Sequence, residues 1–133
     1  MTTAIRSLAL AATAMLAACP MAATAKPLAI HIHSERAMFQ VLVSPGTVGT
    51  DSFVLQLMSG DGNLLQVREA AVVLSLPGSG IAPMQRKAAL GADGYWHLGD
   101  VPIPQAGRWH LRIDAVTDFQ YITLEDDFEV PAP

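Results

Sequence analysis

The stretch Gly94-Tyr95-Trp96-His97-Leu98-Gly99-Asp100-Val101-Pro102-Ile103-Pro104-Gln105-Ala106-Gly107-Arg108-Trp109-His110-Leu111-Arg112-Ile113-Asp114-Ala115-Val116 decides the fold, because it holds both tryptophans and the clearest alternation in the chain. From Arg108 onward, Trp109, Leu111, Ile113 and Ala115 fall on one face of an extended chain, and Arg108, His110, Arg112 and Asp114 on the other. Only a half-buried strand satisfies that period of two. Its apolar side must meet a second layer. The stretch reads as two antiparallel strands and their corner: Pro102 and Pro104 remove backbone donors, so the segment before Gly107 is expected to turn at a sheet edge rather than run as a continuous strand. A β-sandwich houses such a unit.

The flanks repeat the pattern. Downstream, Phe119 to Val130 supplies a last strand that Pro131 and Pro133 terminate. Upstream, Ala70 to Leu76 is a β-branched and leucine run closed by Pro77-Gly78-Ser79-Gly80, and Ile81 to Leu90 admits one edge strand with Pro83 at its start. Near the beginning, Leu28, Ile30 and Ile32 alternate with Ala29, His31 and His33, which puts two histidines on one outward face. Phe39, Val41 and Val43 alternate with Met38, Gln40 and Leu42 before the turn Ser44-Pro45-Gly46. Phe53, Leu55 and Leu57 share a face of the next strand, which stops at Ser59-Gly60-Asp61-Gly62-Asn63. If these two strands pair, matching Phe39 with Leu57 and Val43 with Phe53 aligns their buried faces. That register sets Met38 opposite Met58 on the outer face. The expectation is a single all-β domain over residues 26–133, an antiparallel, immunoglobulin-like sandwich of seven to eight strands. Phe39, Val41, Phe53, Leu55, Leu57, Val73, Trp96, Trp109, Leu111 and Ile113 are expected to point inward.

Residues 1–25 belong to a different grammar. Arg6 precedes an apolar run from Leu8 to Ala18, and Ala23-Thr24-Ala25 offers the small-x-small pattern of a secretory cleavage site. The run is too short to span a bilayer as a helix. Leu16-Ala17-Ala18-Cys19 supports a second processing route, a lipoprotein signal over 1–18 with Cys19 lipidated, although Pro20 is awkward for it. Either route takes the protein to the periplasm or another extracytoplasmic place. Cys19 is the only cysteine, so the domain has neither disulfide nor thiolate ligand and must be stabilised by its core.

Charge excludes some partners. The chain carries eight Lys and Arg against twelve Asp and Glu, and losing Arg6 with the signal leaves seven against twelve. Glu125, Asp126, Asp127 and Glu129 concentrate near the end as a solvated strand end. Nothing here recruits nucleic acid or an anionic membrane. Catalysis is not expected either, since no Gly-x-Ser-x-Gly turn and no carboxylate pair in a cleft can be read.

Several pieces in shared order resemble one family. They are His31-Ile32-His33-Ser34-Glu35-Arg36-Ala37-Met38, Ser44-Pro45-Gly46-Thr47-Val48-Gly49, Leu57-Met58 before Gly60-Asp61, Gly80-Ile81-Ala82-Pro83, and Gly107-Arg108-Trp109 through Asp118-Phe119 to Thr123-Leu124-Glu125-Asp126. Together they are similar to the extracytoplasmic C-terminal domain of CopD and YcnJ type copper-resistance proteins, related to YtkA-like domains. The resemblance covers nearly all of residues 28–131. It implies a periplasmic copper-handling module acting with a CopD-like membrane permease. A CopC-type site is not implied: the mature chain would begin at Lys26 rather than a ligating histidine, and Asp93-Gly94-Tyr95 stands where those carriers have Asp-Gly-His.

The residue types accommodate a copper ion. Imidazole suits either oxidation state, and thioether favours Cu(I). His31 and His33 stand about 7 Å apart by strand rise, and Met38 and Met58 are the sulfurs nearest in the expected register. His97 and His110 read as outward polar residues, with Met84 a weaker sulfur. Two functions from different classes follow. One is copper binding by His31, His33, Met38 and Met58; the other is a metal-free interaction domain that docks on a membrane protein.

Overall fold

Phe39, Val41 and Val43 are fully buried while Met38, Gln40 and Leu42 are half-buried, so the alternation packs one face of this strand against a second layer. The computed structural model describes residues 27–133; the expected export signal, its expected cleavage after Ala25, Lys26 and the alternative lipidation at Cys19 lie outside the described residues. The strands are β1 (Leu28–His33), β2 (Ala37–Ser44), β3 (Gly49–Ser59), β4 (Val67–Ser75), β5 (Met84–Lys87), β6 (Ala89–Leu90), β7 (Trp96–Ile103), β8 (Gly107–Thr117) and β9 (Tyr121–Val130). They form two antiparallel sheets, β1-β2-β3-β7-β6 and β5-β4-β8-β9. Among the described residues there is no helix.

The inward faces of both sheets meet in one core of Ile30, Phe39, Phe53, Leu55, Val72, Leu74, Trp96, Trp109, Leu111, Ile113 and Phe128, with neighbours. Trp109 is 0% exposed. Its indole Nε1 donates to the carbonyl of Gln105 at 2.9 Å, so the ring is buried with its one polar atom satisfied. Phe53 and Phe128 meet edge to face across the layers, with ring centres 6.4 Å apart.

The register expected for β2 and β3 is the one observed. Phe39 pairs with Leu57, Val43 with Phe53 and Met38 with Met58. A one-residue slip of β3 against β2 would turn Phe53, Leu55 and Leu57 to the outer face while Phe39 and Val41 stayed in the core, which fixes the pairing.

Other expectations need correction. Among the described residues the strands number nine rather than seven or eight, because Ile81 to Leu90 splits: β5 pairs with β4 in one sheet and β6 with β7 in the other. The chain changes sheet at Ala88. β7 and β8 are not a hairpin, since they too lie in different sheets. Pro102 sits inside β7 rather than in a corner, opposite Thr50 of β3. Strand β6 pairs only with Trp96 and His97, so no strand on the far side of β7 requires a donor from Pro102. Val73 faces outward and is half-buried, whereas Val72 and Leu74 are buried. The last strand starts at Tyr121, and Phe119 is 96% exposed in the turn before it.

Strand direction gives the domain two unlike ends. Leu28, Ser44 and Val130 mark one end; His33, Ser59 and Tyr121 mark the other. A surface hollow lined by Ser34, Glu35, Arg36 and Gln120 to Leu124 joins the β1–β2 turn to the start of β9 at this second end. Both ends of the described chain therefore emerge opposite the end that carries His33 and Met58.

Candidate functional site

Two turns hold the outer face of the first sheet in place at the His33 end. In the β1–β2 turn, the Ser34 amide donates to the Ala37 carbonyl at 2.9 Å, and the Ser34 hydroxyl oxygen accepts from the amides of Arg36 and Ala37. This closes the chain tightly enough to bring Met38 directly opposite His33. After β3, Ser59 and Asn63 both hydrogen-bond to the Asp61 carboxylate. These bonds, that from Ser59 first, hold the Asp61 carboxyl below its ordinary value. The two turns are tied by the Gly60 amide, which donates to Arg36 O at 3.0 Å. A Cβ on Gly60 would stand 3.1 Å from the Glu35 carbonyl, so the close approach suits glycine.

His33, Met38 and Met58 thus occupy one row across β1, β2 and β3, on the face turned away from the core. The adjacent row is His31, Gln40 and Gln56. The rings of His31 and His33 are stacked, with centres 6.5 Å apart and planes at 18°. An ion bound by two imidazoles at metal–nitrogen bonds of about 2 Å lies roughly 3 Å from each ring centre. The 6.5 Å spacing is close to the roughly 6 Å between ring centres on opposite sides of one ion, and because the stacked rings face each other both would have to turn edge-on to present a nitrogen. Met38 is the methionine nearer in register: it stands directly across from His33, at about 5 Å between Cβ atoms, and diagonal to His31 at about 7 Å. Met58 is one strand further, about 10 Å from His33 by two such steps. Of the four candidate ligands, His31, His33 and Met38 are grouped closely by the strand register, with Met58 at the outer end of the row.

Sequence reasoning overlooked Gln40 and Gln56, although Gln40 was readable as the residue two positions after Met38 on the same face. Among the described residues no three His, Cys, Asp or Glu side chains converge as a metal site. A site in the His33 row would have to include a thioether.

The remaining candidates lie elsewhere. His97 Nε2 is 2.9 Å from both oxygens of Asp93, whose carboxyl this bond and the Tyr95 amide hold below its ordinary value. The approach needs Gly91, since a Cβ there would come within 2.7 Å of both partners. His110 lies on the second sheet, with Nδ1 2.7 Å from Asp127 and Nε2 3.2 Å from Glu125. Met84 is in β5 of that sheet, packed against the core, and so cannot serve the His33 row.

One acid stands apart. Asp51 is 2% exposed beside a register shift in β3, and neither carboxylate oxygen has a partner of hydrogen-bond geometry. Burial pushes its carboxyl above the ordinary value, with the facing amides of Gly46 and Thr47 offsetting part of the rise.

Comparison with known proteins returned no matching family model, no matching curated protein and no matching solved structure.

Proposed function

We propose that the protein is a periplasmic copper-binding module that acts by holding an ion rather than by catalysis. His31 and His33 are its nitrogen donors, Met38 its first sulfur and Met58 a second. The observation that carries this reading is the row of His33, Met38 and Met58 beside the stacked ring of His31. Imidazole and thioether without thiolate form a donor set that favours Cu(I) and survives an oxidising compartment. Together with the resemblance to CopD-type domains, this favours copper over zinc, for which sulfur ligation comes from cysteine. A CopD-like permease is the proposed membrane partner. Among the described residues no helix is long and apolar enough to cross a membrane.

Calorimetric titration of the purified protein with Cu(I) and with Cu(II), repeated on His31→Ala, His33→Ala and Met38→Leu, tests the reading. A single site weakened at least tenfold by each histidine substitution, and for Cu(I) also by Met38→Leu, supports it. No binding of either ion, or binding indifferent to the histidines, overturns it.

A second reading has its own observation. Leu64, Phe119 and Tyr121 are exposed, and Leu64 and Phe119 border a hollow of about 280 Å³ near the Met58 end. Exposed apolar side chains grouped in this way suit a metal-free docking module. Copper titration separates the two, because docking through Phe119 requires no ion.

A further inference from the structure

The outer face of the second sheet carries a ladder of charge. On β8, Arg108, His110, Arg112 and the buried Asp114 share the face turned away from the core; across from them on β9 stand Glu129, Asp127, Glu125 and Thr123. The neighbours from the rest of the sheet are uncharged at the central rungs: Ser75 of β4 lies beside His110, and Val73 of β4 followed by Gln85 of β5 lies beside Arg112. Lys87 sits one rung on, beyond Ala71 and Asp114.

Two features of this ladder are unusual when taken together. First, both ring nitrogens of His110 face carboxylates, Nδ1 to Asp127 at 2.7 Å and Nε2 to Glu125 at 3.2 Å. A neutral imidazole has one N–H and can donate to only one of them; the imidazolium donates to both. Second, Arg112, the cross-strand partner of Glu125, spends its Nη2 on Asp114 at 3.1 Å and leaves its Nε buried with no acceptor. An idle buried guanidinium donor is a cost that a nearby carboxylate would remove.

We propose that His110 is a proton-driven partner switch on the edge strand β9. Protonated, it bridges Asp127 and Glu125; on losing the Nε2 proton it keeps Asp127 through Nδ1–H and releases Glu125 to the idle Nε of Arg112. The asymmetry follows from the distances. Asp127 is the closer acceptor and is also held by Arg108 at 3.1 Å, so Glu125 is the partner that leaves. Hydrogen bonds to Asp127 and then Glu125 hold the His110 ring above its ordinary value, which places the change on the alkaline side of 6.5. The same pairing holds Asp127 below its usual value, so that carboxylate stays charged throughout. The sign is fixed: the bridged arrangement dominates at lower pH and is lost as pH rises through the His110 transition. The switch relocates one carboxylate on the second sheet and leaves the His31 and His33 face untouched.

Nuclear magnetic resonance on the purified protein tests this without metal. Long-range proton–nitrogen spectra are expected to show both His110 nitrogens protonated below the transition. The Glu125 carboxyl carbon should shift with the same midpoint. Glu125→Gln should lower that midpoint by about half a pH unit, a roughly threefold loss of proton affinity. Arg112→Gln should raise it by removing the competing partner. A single neutral tautomer at pH 6, a Glu125 signal that ignores the His110 midpoint, or an unmoved midpoint in Glu125→Gln overturns the switch. The exposed Glu125 substitution keeps the test alive if Arg112→Gln fails to fold.

Discussion

Replacing Trp109 with Phe removes the part of the indole that the core is built around and deletes the hydrogen bond to Gln105. Trp109 is 0% exposed, so the lost volume becomes a cavity rather than being filled by solvent. The ring loses on the order of 40 Å³, which at about 24 cal/mol per Å³ costs about 1 kcal/mol. Loss of the 2.9 Å bond from Nε1 to Gln105 O adds about 1 kcal/mol. The expected total is about 2 kcal/mol, against roughly 5–15 kcal/mol for a domain of this size. With a urea slope of about 1–1.5 kcal/mol per molar, the midpoint should fall by about 1.3–2 M. Equilibrium urea unfolding followed by the fluorescence of Trp96, the tryptophan that remains, reads this directly. A fall of less than about 0.5 M, well under what either contribution alone implies, would refute the placement of Trp109 at the centre of both layers.

The other expectations concern charge and register. Asp51→Asn should stabilise the protein at neutral pH. A buried carboxyl whose folded value is raised costs stability above that value, and the cost vanishes as pH falls toward the ordinary carboxylate value of 3.8. Thermal unfolding of both proteins at pH 7 and pH 4 should show the gap closing at pH 4; a gap that widens there sinks the assignment. Val72→Thr should cost about 1–3 kcal/mol by burying a hydroxyl, while Val73→Thr should stay within about 0.5 kcal/mol. Chemical denaturation of the pair decides which valine faces the core. If the proposed export signal acts, intact mass separates the two expected processing routes, since lipidation at Cys19 adds several hundred daltons and cleavage after Ala25 adds none.

Much of the fold was legible because several strands have one apolar and one polar face. Phe39 to Val43 and Phe53 to Leu57 each place a glutamine, Gln40 or Gln56, on the outer face, so their faces could be matched and Met38 set opposite Met58 from the sequence. Ala70 to Leu76 does not alternate, since Val72 and Val73 are both apolar, and parity there was undetermined. Ile81 to Leu90 forms two short, largely exposed edge strands, which leave no burial pattern to read. That β7 and β8 belong to different sheets is also hidden, because alternation reports a buried face and not which sheet owns it. The His33 row was readable as a consequence of register. The partners of His110 were not, because Asp127 and Glu125 lie 17 and 15 residues along the chain and meet it only through the β8–β9 pairing.

The most direct test of the proposed copper site is copper-edge X-ray absorption on protein loaded with one equivalent of Cu(I). The expected spectrum contains imidazole scattering from His31 and His33 and a sulfur shell at about 2.3 Å. In Met38→Leu the sulfur shell should weaken or vanish while the imidazole scattering remains. Protein that emerges from desalting without copper, or a spectrum without imidazole scattering that is unchanged in His31→Ala and His33→Ala, would contradict the assignment.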